Sequence, residues 1–231
     1  LSHEEYLAAL GIAKFKSSLM FGCLTGLAEM SSSGRSGSFF YSSHDSRFVI
    51  KTIPDHEAKT LRRVLQQYFQ HITTQPNTTI VRFTGLHALV RGAQKIYFVV
   101  MTNIFMNKLP IHETFDLKGS TVNRSTPAEL RGSGVALKDN DFGDQRKLSV
   151  GPAAKAELLA QLTADSLFLS KMNLNDYSFL LGVHRSATFL QPSAPHITPK
   201  PTHTAFQQFH GGIPSTSRTE LYFVGLIDIL T

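Results

Sequence analysis

The chain is 231 residues long, enough for one large or two small domains with a sizeable core. Its 42% apolar and 17% charged content is that of a soluble globular protein, and a net charge of +6 with a pI of about 9.5 favours anionic partners: phosphates, nucleic acid or acidic lipid. The single cysteine, Cys23, excludes an internal disulfide framework and fits a reducing compartment, and no apolar run approaches the ~20 residues of a membrane-spanning helix.

The opening LSHEEYLAAL is acidic where a signal peptide would be basic, so none is expected, and residues 4–20 predict one or two short amphipathic helices. FGCLTGLAEMSSSGRSGSFFYSS then alternates like a strand around a Ser/Gly-rich centre. SHDS (43–46) marks a turn, and RFVIKTI (47–53) follows with Phe48 and Ile50 on one face and Arg47, Val49 and Lys51 on the other; together these segments predict a hairpin. In PDHEAKTLRRVLQQYFQHI, Leu61, Leu65, Tyr68 and Ile72 recur every three or four residues, the mark of one helix face, and Pro54 suits its first turn. The β-branched and aromatic residues of 78–90 and 95–105, on either side of a turn at 91–94, predict a second antiparallel pair. The first half therefore reads β-β-α-β-β, an antiparallel sheet with one helix packed on it. In the second half, residues 156–172 are helical by their Leu158, Leu162, Leu169 and Met172 stripe, and 176–184 and 220–230 read as strands. Between those strands, 186–219 has neither period and holds half of the chain's prolines. It is expected to be a flexible insertion, with too little apolar surface to offset its ordering entropy.

Several stretches carry chemistry. FDLKGSTVNR (115–124) sets Asp116 and Lys118 two residues apart, on one side of an extended chain, before a Gly-Ser-Thr turn and Arg124. The small residues of SSSGRSGSFFY let backbone N–H groups approach a phosphate, a plain turn being the alternative. Lys51 on the next strand and Glu57 in the next helix follow the protein-kinase order of glycine loop, lysine and helix glutamate; solvated surface ions are the alternative. In VVMTNIF (99–105), Asn103 can meet an adenine edge while Ile104 and Phe105 flank the ring, unless this is simply a buried strand end. Asp176 precedes an apolar strand and Asp228 lies within VGLIDIL, where an unpaired carboxylate is costly. Mg2+ binding would account for such a carboxylate; a capping role for Asp176 and a structural ion pair for Asp228 are the alternatives. His196, His203 and His210 do not have the spacing of a zinc site. Arg62, Arg63, Arg82, Arg91 and Lys95 can form a basic patch, but no nucleic-acid signature accompanies them, so no nucleic-acid partner is expected.

Taken in order, SGRSGSFFY, FVIKTI, VVMTNIF, FDLKGST, LKDNDF (137–142), DYSFLLGVH and YFVGLIDIL resemble the phosphatidylinositol phosphate kinase family, of the 4-phosphate 5-kinase and 5-phosphate 4-kinase type. The resemblance runs from about Leu19 to Leu230, outside 186–219 and the weaker stretches 128–136 and 143–155. It implies an α+β, two-lobed, distantly protein-kinase-like fold. An antiparallel sheet with a helix would form the N-lobe (about 1–105) and a mixed α/β C-lobe would follow (106–231, incomplete), the two making a single catalytic domain. It also implies ATP-dependent, Mg2+-dependent phosphorylation of the inositol ring of a phosphatidylinositol monophosphate, with conversion of the 4-phosphate to the 4,5-bisphosphate as the expected reaction.

Residue by residue, the resemblance makes Ser36, Gly37 and Ser38 the phosphate loop and Lys51 the lysine on the ATP phosphates, with Glu57 as its partner. Asn103, Ile104, Phe105, Leu180 and Ile227 would enclose base and ribose, Asp228 would hold Mg2+, and Asp176 would orient or deprotonate the attacking hydroxyl. Lys118 would stabilise the transferring phosphate, with Asp116 fixing its orientation and Arg124 near the lipid headgroup. Asn175, where the family usually has a hydrophobic residue, and Phe179, for a usual leucine, are departures outside the catalytic positions. The chain stops three residues after Asp228, where the family's activation segment would begin, so a truncated domain is expected and the substrate isomer is not fixed. The implied setting is cytoplasmic, peripheral to the cytosolic membrane face, with a phosphoinositide in an anionic surface as partner and a homodimer allowed. A catalytically silent phosphoinositide- or nucleotide-binding scaffold of the same fold is the main alternative; a protein kinase is disfavoured because HRD and its following asparagine are missing.

Overall fold

The computed structural model describes residues 28–30, 40–43, 45–106, 109–143, 146–185 and 212–230, together with Glu4, Tyr6, Leu10 and Ser38. Most of the expected 4–20 helices, and Cys23, His196, His203 and His210, lie outside the described residues, although Glu4, Tyr6 and Leu10 are helical. The chain divides into two compact units, Leu1–Arg62 with Val81–Met106, and Arg63–Ile80 with Asn107–Thr231. The chain passes between the units at Arg62–Arg63, Ile80–Val81 and Met106–Asn107.

The first unit is built on an antiparallel sheet of five strands: β1 (Ala28–Met30), β2 (Phe40–Ser42), β3 (Phe48–Ile53), β4 (Phe83–Arg91) and β5 (Gln94–Thr102), in the order β1-β2-β3-β5-β4. Three strands precede the helix where the sequence reading counted two. Alternation along β3 buries Phe48 and Ile50, which pack with Tyr41, Val100 and Leu10. The Ser43 hydroxyl shapes the turn into β3, donating to Asp45 and accepting from the Phe48 N–H. A two-residue turn joins β4 to β5, and Gly92 takes its left-handed position at φ +57°.

Helix α1 (Asp55–Thr74) starts after Pro54 with Asp55 and Glu57 in its first turn, where acidic groups complement the helix dipole. Its buried line is Ala58, Leu61, Val64 and Tyr68. Leu65, expected on that face, is 52% exposed and continues into the exposed Phe69; Val64 occupies the buried position because the line steps by three from Leu61. Residues 78–82 do not extend β4 backwards as expected. Thr78–Ile80 instead belong to the second unit, with Ile80 bridged to Leu226.

The second unit carries the antiparallel sheet β6 (Glu113–Leu117), β7 (Ser178–Arg185), β9 (Glu220–Ile227) and β8 (Ile213–Pro214), in the order β6-β7-β9-β8. Its core is Phe115, Leu181, Val183, Ile213, Tyr222 and Val224 with Leu158 of helix α3 (Pro152–Lys171). Helix α3 begins four residues before the expected start because Pro152 serves as its first helical residue. A short helix α2 (Asp139–Phe142) precedes it. The expected insertion 186–219 is too long at its C-terminal side: Ile213 and Pro214 pair with Tyr222 and Leu221, and Ser215 is buried. Gly212 enters β8 at φ +84°, and a Cβ there would meet the Leu221 side chain at 2.6 Å. Residues 186–211 lie outside the described residues.

Candidate active site

The registers of the second sheet fix where its chemistry sits. Ser178 pairs with Ile227 and Leu117 with Phe179, so three antiparallel strands end together. Asp176 lies just before β7, Asp228 just after β9 and Lys118 just after β6, all at one end of the sheet. Alternation buries Leu181 and Val183 in the core cluster and turns Leu180, with its partners Asp116 and Gly225, to the opposite face; Ile227 shares that face through Ser178.

Lys118 and Asp176 touch directly. The Lys118 ammonium lies 2.6 Å from Asp176 Oδ1 and also donates to the Asp176 carbonyl. The Asp176 side chain is 70% exposed, so one carboxylate edge remains open to solvent beside the lysine. Asp176 and Asp228 both adopt left-handed backbone, at φ +58° and +57°. Non-glycine residues held there cost roughly 1–3 kcal/mol and cluster at functional sites. The turn at Asp228 ends the strand, which stops at Ile227 instead of continuing to 230 as expected.

The loop carrying Lys118 is held by a residue 21 positions away. Asp139 Oδ1 accepts the N–H groups of Lys118 (3.0 Å) and Gly119 (2.8 Å), and its Oδ2 takes the Arg124 guanidinium at 2.7 Å. Arg124 also reaches the Asp116 carbonyl and, at 3.1 Å, the Asp116 carboxylate. Partial burial works against charge on Asp139, but Arg124 and the two backbone donors outweigh it and hold the carboxyl below its ordinary range. Asp116 pairs with Arg124, Asp139 holds the backbone of Lys118, and Arg124 bridges the two carboxylates with its side chain only 15% exposed, bracing the loop.

Leu137 brings Asp139 to this place: it exchanges backbone hydrogen bonds with Thr114 and Asp116 along β6. Asp141 does similar work next door, accepting from the N–H groups of Thr126 and Lys138 and from Arg131. LKDNDF matched as a motif, but its aspartates received no role from spacing. Two acidic residues flanking one asparagine were the available signal.

In the first unit, Lys51 is buried on β3, its ammonium 5.5 Å from the centre of the Phe40 ring, and Glu57 is buried in the first turns of α1. Ser38 is buried; Ser36 and Gly37 lie outside the described residues. Asn103 follows β5, and its groups are engaged locally: its N–H donates to Arg47, its amide nitrogen to Ser46, and its oxygen accepts from Phe105. This ties β5 to the turn before β3. Ile104 is buried and Phe105 half-buried.

Among the described residues no three His, Cys, Asp or Glu side chains gather as a metal cage. Mg2+ does not need one, since it takes one or two protein carboxylates and completes its shell with phosphate oxygens and water. Half-buried Asp228 is a donor of that kind.

Residues 21–231 match the family described as Phosphatidylinositol-4-phosphate 5-Kinase. A "probable phosphatidylinositol phosphate kinase" of Dictyostelium discoideum is 38% identical over 199 residues, covering 84% of this chain and 28% of that protein. A phosphatidylinositol 4-phosphate 5-kinase of Plasmodium falciparum is 33% identical over 257 residues, with coverage of 100% and 15%. Phosphatidylinositol 4-phosphate 5-kinase 9 of Arabidopsis thaliana is 45% identical over 162 residues, with coverage of 70% and 20%. The chain spans less than a third of the length of each of these relatives.

Proposed function

Because the chain belongs to the phosphatidylinositol-4-phosphate 5-kinase family, we propose that the protein containing it transfers the γ-phosphoryl group of ATP to the inositol ring of a phosphatidylinositol monophosphate. Phosphatidylinositol 4-phosphate is the substrate and the 4,5-bisphosphate the product. The observation that carries this reading is the ending of three strands together, with Lys118 in contact with Asp176 and Asp228 at the same sheet end.

The ring hydroxyl oxygen attacks the γ-phosphorus, the bond to the β-bridging oxygen breaks, and ADP leaves. Asp176 orients the hydroxyl and takes its proton through its open carboxylate edge. Lys118, its backbone fixed by Asp139, moves from Asp176 toward the equatorial oxygens as charge shifts onto them. Fixed groups of this kind lower the barrier because little reorganises during the step. Within the first unit, Lys51 and Glu57 serve the ATP phosphates, and Ile104 and Phe105 give apolar surface for the base. Asp228 would hold Mg2+, which when bound would neutralise charge on the phosphates. The net charge of +6 draws the domain to anionic lipid on the cytosolic face of a membrane, at ~1 kcal/mol per basic residue near the surface.

The test is a lipid kinase assay on the full-length protein. Liposomes carrying phosphatidylinositol 3-, 4- or 5-phosphate are given labelled ATP and Mg2+, with Asp228→Asn alongside. Bisphosphate from the 4-phosphate, lost in the variant, is the expected result. ATP binding without product from any isomer would replace this reading with a silent scaffold.

A further inference from the structure

Asp165 is a carboxylate with no exposed surface, in the middle of α3, and the chemistry above makes no use of it. A buried charge is costly unless it is fully hydrogen-bonded, and this one is. Its Oδ1 accepts from His71 Nε2 (2.7 Å), the Thr78 hydroxyl (2.7 Å) and Gln161 Nε2 (2.9 Å). Its Oδ2 accepts from the Thr79 N–H (2.7 Å) and the Thr79 hydroxyl (2.8 Å). The His71 ring stacks on Phe168 at 4.3 Å, which sets its nitrogen toward the carboxylate.

Three of the five donors come from Thr78 and Thr79, and those residues lead to β9. The Thr79 carbonyl accepts the Leu226 N–H at 2.8 Å, and Ile80 bridges Leu226. The outer edge of β9 is covered by β8 only at Leu221 and Tyr222. At Leu226 the neighbour on that edge is Thr79–Ile80, and two residues further comes Asp228 with its left-handed backbone. Such a conformation persists only where its surroundings over-determine it. β7 holds one side of this strand end through Ser178, and the segment clamped by Asp165 holds the other.

We infer that Asp165 is a positioning residue for Asp228, acting through Thr79 and Leu226. The inference rests on the proposed role of Asp228 as the Mg2+ carboxylate. Removing Asp165 leaves the Thr79 N–H without its acceptor, loosens the outer edge of β9, and lets Asp228 wander from the geometry the metal needs. Groups hydrogen-bonded directly to a metal ligand change metal affinity about 10–100-fold, and a residue acting through Thr79 and Leu226 belongs at the lower end of that range.

The readout is the factor by which Mg2+ tightens binding of a non-hydrolysable ATP analogue, measured by calorimetry on the full-length protein. Asp165→Asn is expected to cut that factor about tenfold while metal-free binding of the analogue stays unchanged. Thr79→Val, which keeps the backbone bonds and removes one hydroxyl, is expected to give a smaller loss in the same direction, and it decides the matter if Asp165→Asn does not fold. A folded Asp165→Asn with the wild-type Mg2+ factor overturns the inference, even if its melting temperature has fallen. Asp228→Asn separates the two levels. If Mg2+ tightens binding as well in that variant as in wild type, the metal role of Asp228 is wrong and the inference falls with it.

Discussion

Lys118, the proposed transition-state donor, depends on a distant carboxylate for its placement. Its ammonium meets Asp176, but the placement of its backbone comes from Asp139, which is itself locked by Arg124. Lys118→Ala should lower kcat by about 10²–10³, the usual cost of removing a fixed transition-state donor. Asp139→Ala should lower kcat with little change in the KM for ATP, because the loop loses its hold while the first unit keeps its lysine. Arg124→Ala combined with Asp139→Ala should be scarcely worse than Asp139→Ala alone, since the two act as one brace; a double-mutant cycle in the lipid kinase assay checks this. The sequence made Lys118, Asp176 and Asp228 visible because charged residues stood out in apolar or Gly-Ser surroundings. It does not reveal the Asp116–Arg124–Asp139 network, because spacing shows which residues share a side of a strand and not which distant carboxylate reaches them.

Among the elements, α3 departs most from its amphipathic pattern. Leu158, Asp165 and Leu169 are its buried residues, so an acid occupies a place in the apolar stripe. That position was readable from the 3.6-residue period; its purpose was not, because Thr78 and Thr79 read as the start of a strand and not as donors to a helix. Leu169→Ala should cost about 2–5 kcal/mol, as truncation of a fully buried leucine does, measurable by denaturant unfolding. Asp165 also predicts a pH dependence. Burial opposes its charge, but His71, Thr78 and Thr79 prevail and hold the carboxyl below its ordinary 3.8. A carboxylate depressed by folding adds stability that is complete above the unfolded value and is lost as pH falls through the folded one. Melts from pH 7 down to pH 3 should therefore show a steeper acid decline in wild type than in Asp165→Asn. Helix α1 carries a different lesson: Leu65 fits the period and is exposed, since a three-residue step from Leu61 places Val64 inside.

At the scale of the molecule, two antiparallel sheets form two compact units, and the order of strands and helices is largely legible because β-branched and aromatic runs stand between turn signals, even where, as in β7 and β9, burial is nearly continuous instead of alternating. The grouping of 63–80 with the second unit was not legible, since no local pattern says which unit a helix end will join. Binding of the full-length protein to anionic vesicles should weaken as salt rises, with sedimentation across an ionic-strength series as the check. Arg185 ends β7 opposite Glu220, and the chain re-enters the same sheet at β8, whose Ile213 pairs with Tyr222 near the start of β9. That junction lies at the far end of eight-residue strands from Asp176 and Asp228, roughly 25 Å away at 3.3 Å per residue. The entropy of closing a connection grows only with the logarithm of its length. The junction is accordingly a socket: a Gly/Ser linker of about ten residues, or a fluorescent domain, put in place of residues 188–209 should leave the Asp176–Asp228 end of the strands in register, with the lipid kinase assay as the check.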